Sequence, residues 1–189
     1  MFGYLKDKCL YIKVPKNGCR TFSALLERNG WQLINLFKND LDLTELLIWG
    51  HLTEPNERHT KGVHQYLIHN PDIDINNHKV GKLLVSGVFD DHTYSVNMML
   101  GWIFTLPITW IPLDYPIVDY TVEDWVGKKP KNGNDLTNDF FKENNIDLKV
   151  TDNDILNACR WDWDTDLIRK KINDYKRIYN VNYQKIDKN

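Results

Sequence analysis

Lys16 and Gly18 stand in YIKVPKNGCRTFSALLE, where an apolar run gives way to a glycine-bearing loop and then to helical spacing. A helix that starts from such a loop offers an anion its unpaired backbone N–H groups and the positive end of its dipole. A phosphate or a sulfate is the first ligand to consider there. Further along, Lys61 follows Arg58 by one helical turn, so the two cations could face the same ligand. Asp90 lies close enough to His92 to orient its ring, and an imidazole titrates where a general base is useful.

The elements that must position these residues follow from hydrophobic spacing. CLYIKV, bounded by Pro15, reads as a buried strand. From Thr21 the residues Phe22, Leu25 and Leu26 recur at helical spacing, and Gly30 closes the helix. WQLINLF and LLIWGHLT are further strand candidates, the second ending just before Glu54-Pro55. NERHTKGVHQYLIHN then reads as a helix with Pro55 near its start and Val63, Tyr66 and Leu67 on one face. VGKLLVSGVF reads as helix despite Gly81 and Gly87. ITWIPLDY is a strand whose Pro112 points to an edge or a bulge.

The stretch GKKPKNGND, from Gly127 to Asp135, is the clearest loop. LTNDFFKENN after it reads as a short helix and DTDLIRKKINDYKRIYN as a longer one, with Leu167, Ile168, Ile172, Tyr175 and Tyr179 on one side. Strands alternating with helices imply an α/β sandwich around a mostly parallel sheet. In such sheets ligands bind beyond the carboxyl ends of the strands, where the Lys16 loop and the Glu54-Pro55 turn both fall.

With 189 residues the chain suits one domain, 1–189, with a substantial core. A net charge of −2 supplies no general basic field, so nucleic acid is not expected as a partner and anion-binding charge must be local. Lys6, Asp7 and Lys8 interrupt the N-terminal apolar residues, leaving no signal-peptide core. MMLGWIFTLPITWIPL contains Pro107 and Pro112 and is too short for a clean membrane span. Cys9, Cys19 and Cys159 have no metal-type spacing and leave one thiol over in any disulfide scheme. A reducing cytoplasmic setting with no membrane partner is the expectation.

The first loop departs from GxxxxGK[ST], because its lysine precedes the glycine. It resembles the 5′-phosphosulfate loop of the sulfotransferases, especially carbohydrate sulfotransferases, in which a strand runs into V-P-K-x-G-C/S-T. Here the residues are Val14, Pro15, Lys16, Asn17, Gly18, Cys19, Arg20 and Thr21. A second stretch, from Thr53 to Lys61, resembles the family segment R-D-P-x-x-R-x-x-S: Glu54, Pro55, Glu57 and Arg58 fit in type and spacing. Thr53 replaces the family arginine and Lys61 the family serine, the two residues that hold the donor's 3′-phosphate there. A third, FDDHTYSVNMMLG followed by ITWIPLDY, resembles D-x-H-x-x-P-Q and its following strand, with Asp90 and His92 in place and Ser95 and Val96 substituted. The resemblance spans Cys9 to about Tyr115.

The resemblance implies a compact, anchorless sulfotransferase with a three-layer α/β/α fold of the P-loop-like kind. Its donor would be 3′-phosphoadenosine-5′-phosphosulfate (PAPS), its nucleotide product adenosine 3′,5′-bisphosphate, and its acceptor a hydroxyl or amine on a small molecule or carbohydrate. Lys16 would offset charge developing on the bridging oxygen, and the backbone N–H groups of Asn17 to Thr21, with the Thr21 hydroxyl, would cradle the 5′-phosphate. Pro15 completes the loop, and Arg20 has no cationic counterpart in the family. Arg58 and Lys61 would hold the 3′-phosphate, a charge having moved from Thr53 to the helix.

His92 is the first candidate for the general base, with His51 and Glu27 as alternatives. His59, His64 and His69 read as surface or packing residues of their helix, and His78 falls in a polar loop. Trp161 and Trp163 could stack on a sugar but read more simply as a packing pair. Two rival readings stay open: a nucleotide-binding protein of the same fold that has lost transfer, for which Thr53 is the argument, and a P-loop-type kinase, which the order of lysine and glycine disfavours.

Overall fold

In the computed structural model the described residues are 1–38, 41–53, 55–87, 90, 92–113, 133–151, 154 and 166–178. Five strands form one sheet: β1 (Phe2–Lys6), β2 (Cys9–Lys13), β3 (Gln32–Asn35), β4 (Leu47–Leu52) and β5 (Ile108–Pro112). Their order across the sheet is β3-β1-β2-β4-β5. β2, β4 and β5 pair in parallel, while β1 runs antiparallel to both β2 and β3. Four strands therefore share one direction and β1 alone opposes them, so the sheet is mixed.

The described helices are α1 (Cys19–Arg28), α2 (Pro55–His69), α3 (His78–Ser86), α4 (Val96–Leu100), α5 (Gly133–Glu143) and α6 (Asp166–Ile178). Single 3₁₀ turns occur at Leu43–Glu45 and Gly101–Thr105. Among the described residues, no helix is long and apolar enough to cross a membrane.

The chain forms two compact units. One comprises residues 1–54 and 96–160, the other 55–95 and 161–189. The first holds the whole sheet and has a core on each face. Alternation along the strands sends Tyr4, Tyr11, Trp49 and Ile111 to one face, where Phe22, Leu25 and Leu26 of α1 and Phe140 and Phe141 of α5 cover them. The same alternation sends Leu10, Ile12 and Ile48 to the other face, against Leu36, Leu43, Leu100 and Ile103. Burying such side chains stabilises by about 1.5–3 kcal/mol each before conformational entropy is counted. In the second unit α2 packs on α6, with Val63, Leu67, Leu84 and Tyr175 buried. Lys171 Nζ donates to the carbonyls of Pro71 and Ile73.

Several boundaries differ from the sequence reading. β1 is an added strand, joined to β2 by a tight turn at Asp7 and Lys8, with Asp7 left-handed at φ 52°. α1 begins at Cys19, two residues ahead of the apolar spacing, because the loop itself delivers the chain into helical geometry. His78 opens α3 instead of lying in a loop, since the Asn77 side chain accepts from Lys79 N–H and caps the helix. Gly133 to Asp135, expected as loop, form the first turn of α5, where Asp135 complements the helix dipole. Among the described residues β5 is an edge strand, one of the two positions its Pro112 pointed to. The remainder of the 127–135 loop, together with Cys159, Trp161, Trp163 and Tyr179, lies outside the described residues.

Candidate functional site

The Lys16 loop leaves the carboxyl end of β2, beside the carboxyl end of its parallel neighbour β4, which in turn pairs in parallel with β5. Asn17 N–H donates to the Val14 carbonyl at 3.3 Å, closing a four-residue turn. Pro15 fixes the first central φ near −65°, and Lys16 takes φ 65° at the second, the combination that defines a type II turn. Glycine or asparagine is the usual occupant there; a lysine costs roughly 1–2 kcal/mol. The sequence therefore keeps a cation in a strained position at a candidate anion site.

Gly18 follows at φ 71° as the N-cap residue of α1, with no side-chain cap. A Cβ on Gly18 would lie 2.9 Å from Leu113 Cδ1, so glycine is required by conformation and by space. The first helical bond runs from Phe22 N–H to the Gly18 carbonyl at 3.2 Å. The amide groups of Cys19 to Thr21 consequently have no acceptor within the helix, and they form the anion-facing set that α1 can present. Asn17 must be removed from that set as a backbone donor, because its N–H is spent on the turn. Cys19 is a free thiol, half-buried; Arg20 is exposed; Thr21 is buried; Pro15 and Lys16 are half-buried.

The Asn17 side chain has a role that the sequence reading missed. Its Oδ1 accepts from Thr53 N–H at 2.9 Å and from the Thr53 hydroxyl at 2.7 Å, and both residues are buried. Thr53, which stands where the resemblance expects an arginine, thus ties the loop to the end of β4. Two short polar residues following adjacent parallel strands were the available signal.

The two alternative bases are both unsuited. His51 is wholly buried under α1, its ring stacked on Phe22 with centroids 3.8 Å apart and its Nε2 3.0 Å from Thr137 Oγ1. Burial pushes its pKa down to about 3, so it is a neutral core residue at physiological pH. Glu27 accepts a hydrogen bond from Tyr4 Oη at 2.5 Å, in the last turn of α1 and about 12 Å of helix rise from the loop. Cys9, at the amino end of β2, lines a groove of about 370 Å³ with Lys6, Trp31, Leu47, Asn145 and Leu148. Burial pushes its thiol up to about 11, which excludes a nucleophilic thiolate near neutrality.

The second unit carries the other candidates. Arg58, read from the sequence as a partner of the 3′-phosphate, is buried and donates to the Tyr94 carbonyl, which ties α2 to the 90–94 turn. Lys61, one turn on, is half-buried. Asp90 Oδ1 accepts from the His92 backbone N–H at 2.8 Å and lies 2.7 Å from His92 Nδ1. A carboxylate can only accept, so Nδ1 carries the hydrogen in that contact and the ring orientation is set by Asp90. The turn presses on α2 at Gly62, where a Cβ would come within 2.6 Å of the His92 carbonyl oxygen. His59 lies 3.3 Å from Tyr175 Oη, and burial lowers its pKa, which assigns it to packing.

Among the described residues no group of three His, Cys, Asp or Glu side chains is placed to hold a metal ion. Comparison of the chain with protein-family models, with curated proteins and with solved structures returns no match.

Proposed function

We propose that the protein is a PAPS-dependent sulfotransferase, acting on a hydroxyl or amine of a small molecule or carbohydrate. The observation that carries this reading is Lys16 held left-handed between Pro15 and the glycine that opens α1. Strain of this kind persists where the side chain is needed in place. Sulfuryl transfer requires little covalent work of the protein; it needs positioning and stabilisation of charge on the leaving phosphate. In this reading the amide groups of Cys19 to Thr21 take the 5′-phosphate, and Lys16 meets the charge on the bridging oxygen as it develops. Arg58 and Lys61 are the proposed partners of the 3′-phosphate. Asp90-oriented His92 takes the acceptor proton on Nε2.

A second reading, nucleotide binding without transfer, draws on Thr53 and Arg58. Thr53 carries no charge and is committed to Asn17, and Arg58 already donates to a carbonyl. Incubation with ³⁵S-labelled PAPS and a panel of phenol, amine and oligosaccharide acceptors separates the two. Labelled acceptor with the parent protein and none with Lys16→Ala supports transfer. Nucleotide binding with no labelled acceptor, at any pH from 6 to 9, supports the second reading.

A further inference from the structure

We infer that Asn17 and Thr53 together are the positioning device of the phosphate loop, and that residue 17 is a carboxamide so that no negative charge stands beside a bound anion. This rests on the reading that the loop takes a phosphate group. Thr53 follows β4 and Asn17 follows β2, so the pair joins the ends of two adjacent parallel strands. A backbone N–H can only donate, so the Asn17 atom facing Thr53 N must be Oδ1, and the amide group is directed the other way. That Nδ2 is buried with no acceptor among the described residues.

An aspartate at 17 would accept the same two hydrogen bonds, more strongly, and would leave no donor orphaned. It would also place negative charge just ahead of the positive end of α1, which favours a helix whose N-terminus stands empty. The protein instead keeps the residue that is costlier in the empty state. An anion at the start of α1 reverses the preference, because a carboxylate would then sit against a like charge in partly buried surroundings. The clamp also acts on Lys16: with Asn17 anchored by both its N–H and its side chain, the preceding residue is held at φ 65°.

The test is calorimetric titration of the full chain with adenosine 3′,5′-bisphosphate and, separately, with inorganic pyrophosphate. Asn17→Asp is expected to unfold at or above the parent's transition while losing at least about tenfold in affinity for both ligands, and Asn17→Ala, which adds no charge, to bind both more tightly than Asn17→Asp. Thr53→Val, which deletes one of the two bonds, is expected to weaken both ligands by about threefold to tenfold, and Thr53→Ser to recover most of that loss. This second pair decides the matter should Asn17→Asp not fold. Asn17→Asp binding like the parent, or no more weakly than Asn17→Ala, overturns the charge argument. Equal affinities in Thr53→Val and the parent overturn the clamp. A parent protein that binds pyrophosphate but not the bisphosphate removes the sulfotransferase reading and leaves this inference standing; one that binds neither removes both.

Discussion

The His51 imidazole lies stacked on the Phe22 ring at 3.8 Å, between the end of β4 and the first turns of α1. A ring so placed stays neutral in the folded protein, with a pKa near 3, while in the unfolded chain it titrates at the ordinary 6.5. The unfolded state therefore binds more protons between those values, and stability falls as pH drops below about 6.5. By pH 5 the loss from this one residue is about 2 kcal/mol. Urea unfolding at pH 7.5 and pH 5 should show His51→Phe losing less stability over that interval than the parent. An identical loss in both would move the acid sensitivity to other groups.

Under the proposed function, Lys16 exchanges stability for a placed charge. Lys16→Asn places a residue that tolerates left-handed geometry at φ 65° and removes the cation. Its unfolding free energy should rise by roughly 0.5–1 kcal/mol, a gain of a few degrees at most in a chain of this size. Sulfuryl transfer should fall by about 10²–10³-fold, the usual cost of losing one donor to developing charge. A variant destabilised as well as inactive would mean that the lysine is held by favourable contacts and not by strain.

Asp90 and His92 share a turn that α2 braces at Gly62. His92→Ala should lower turnover by roughly 10²–10⁴-fold and leave bisphosphate affinity unchanged, as expected for loss of a general base. Gly62→Ala forces a Cβ against the His92 carbonyl and should lower turnover by shifting the turn, with the imidazole still present. Weakened bisphosphate binding in His92→Ala would make the residue a donor-site contact.

Tyr4 and Glu27 join β1 to the last turn of α1 by a hydrogen bond. Burial and the Glu27 carboxylate both raise the Tyr4 pKa. Glu27→Gln should cost about 1 kcal/mol in stability and nothing in turnover, since the carboxylate serves the sheet. A large loss of turnover at unchanged stability would return Glu27 to the list of bases.

β2 and α1 were legible in the sequence because an apolar run meets a proline and a helical spacing ends at Gly30. β1 was not: Gly3 and the charged Lys6 to Lys8 dilute its pattern, and its pairing with β3 joins residues some thirty positions apart. The Lys16 turn is visible as a loop, but neither its left-handed lysine nor the Asn17–Thr53 tie across the ends of two strands is written in local spacing. His51 looked available because a polar residue before a proline turn suggests a cleft. Only the tertiary packing of Phe22, Tyr11 and Trp49 around it reveals a core position. Arg58 reads from the sequence as a cation for a phosphate; its hydrogen bond to the Tyr94 carbonyl, far along the chain, appears only in the fold.

Thermal unfolding with saturating adenosine 3′,5′-bisphosphate, set beside ATP, ADP and AMP, tests the proposed donor site most directly, since a ligand that binds only the folded state raises the melting temperature by mass action. The bisphosphate should raise it by several degrees and ATP by little, with the shift abolished at low ligand and reduced in Lys61→Ser. A shift with ATP and none with the bisphosphate would contradict the sulfotransferase assignment and favour a kinase.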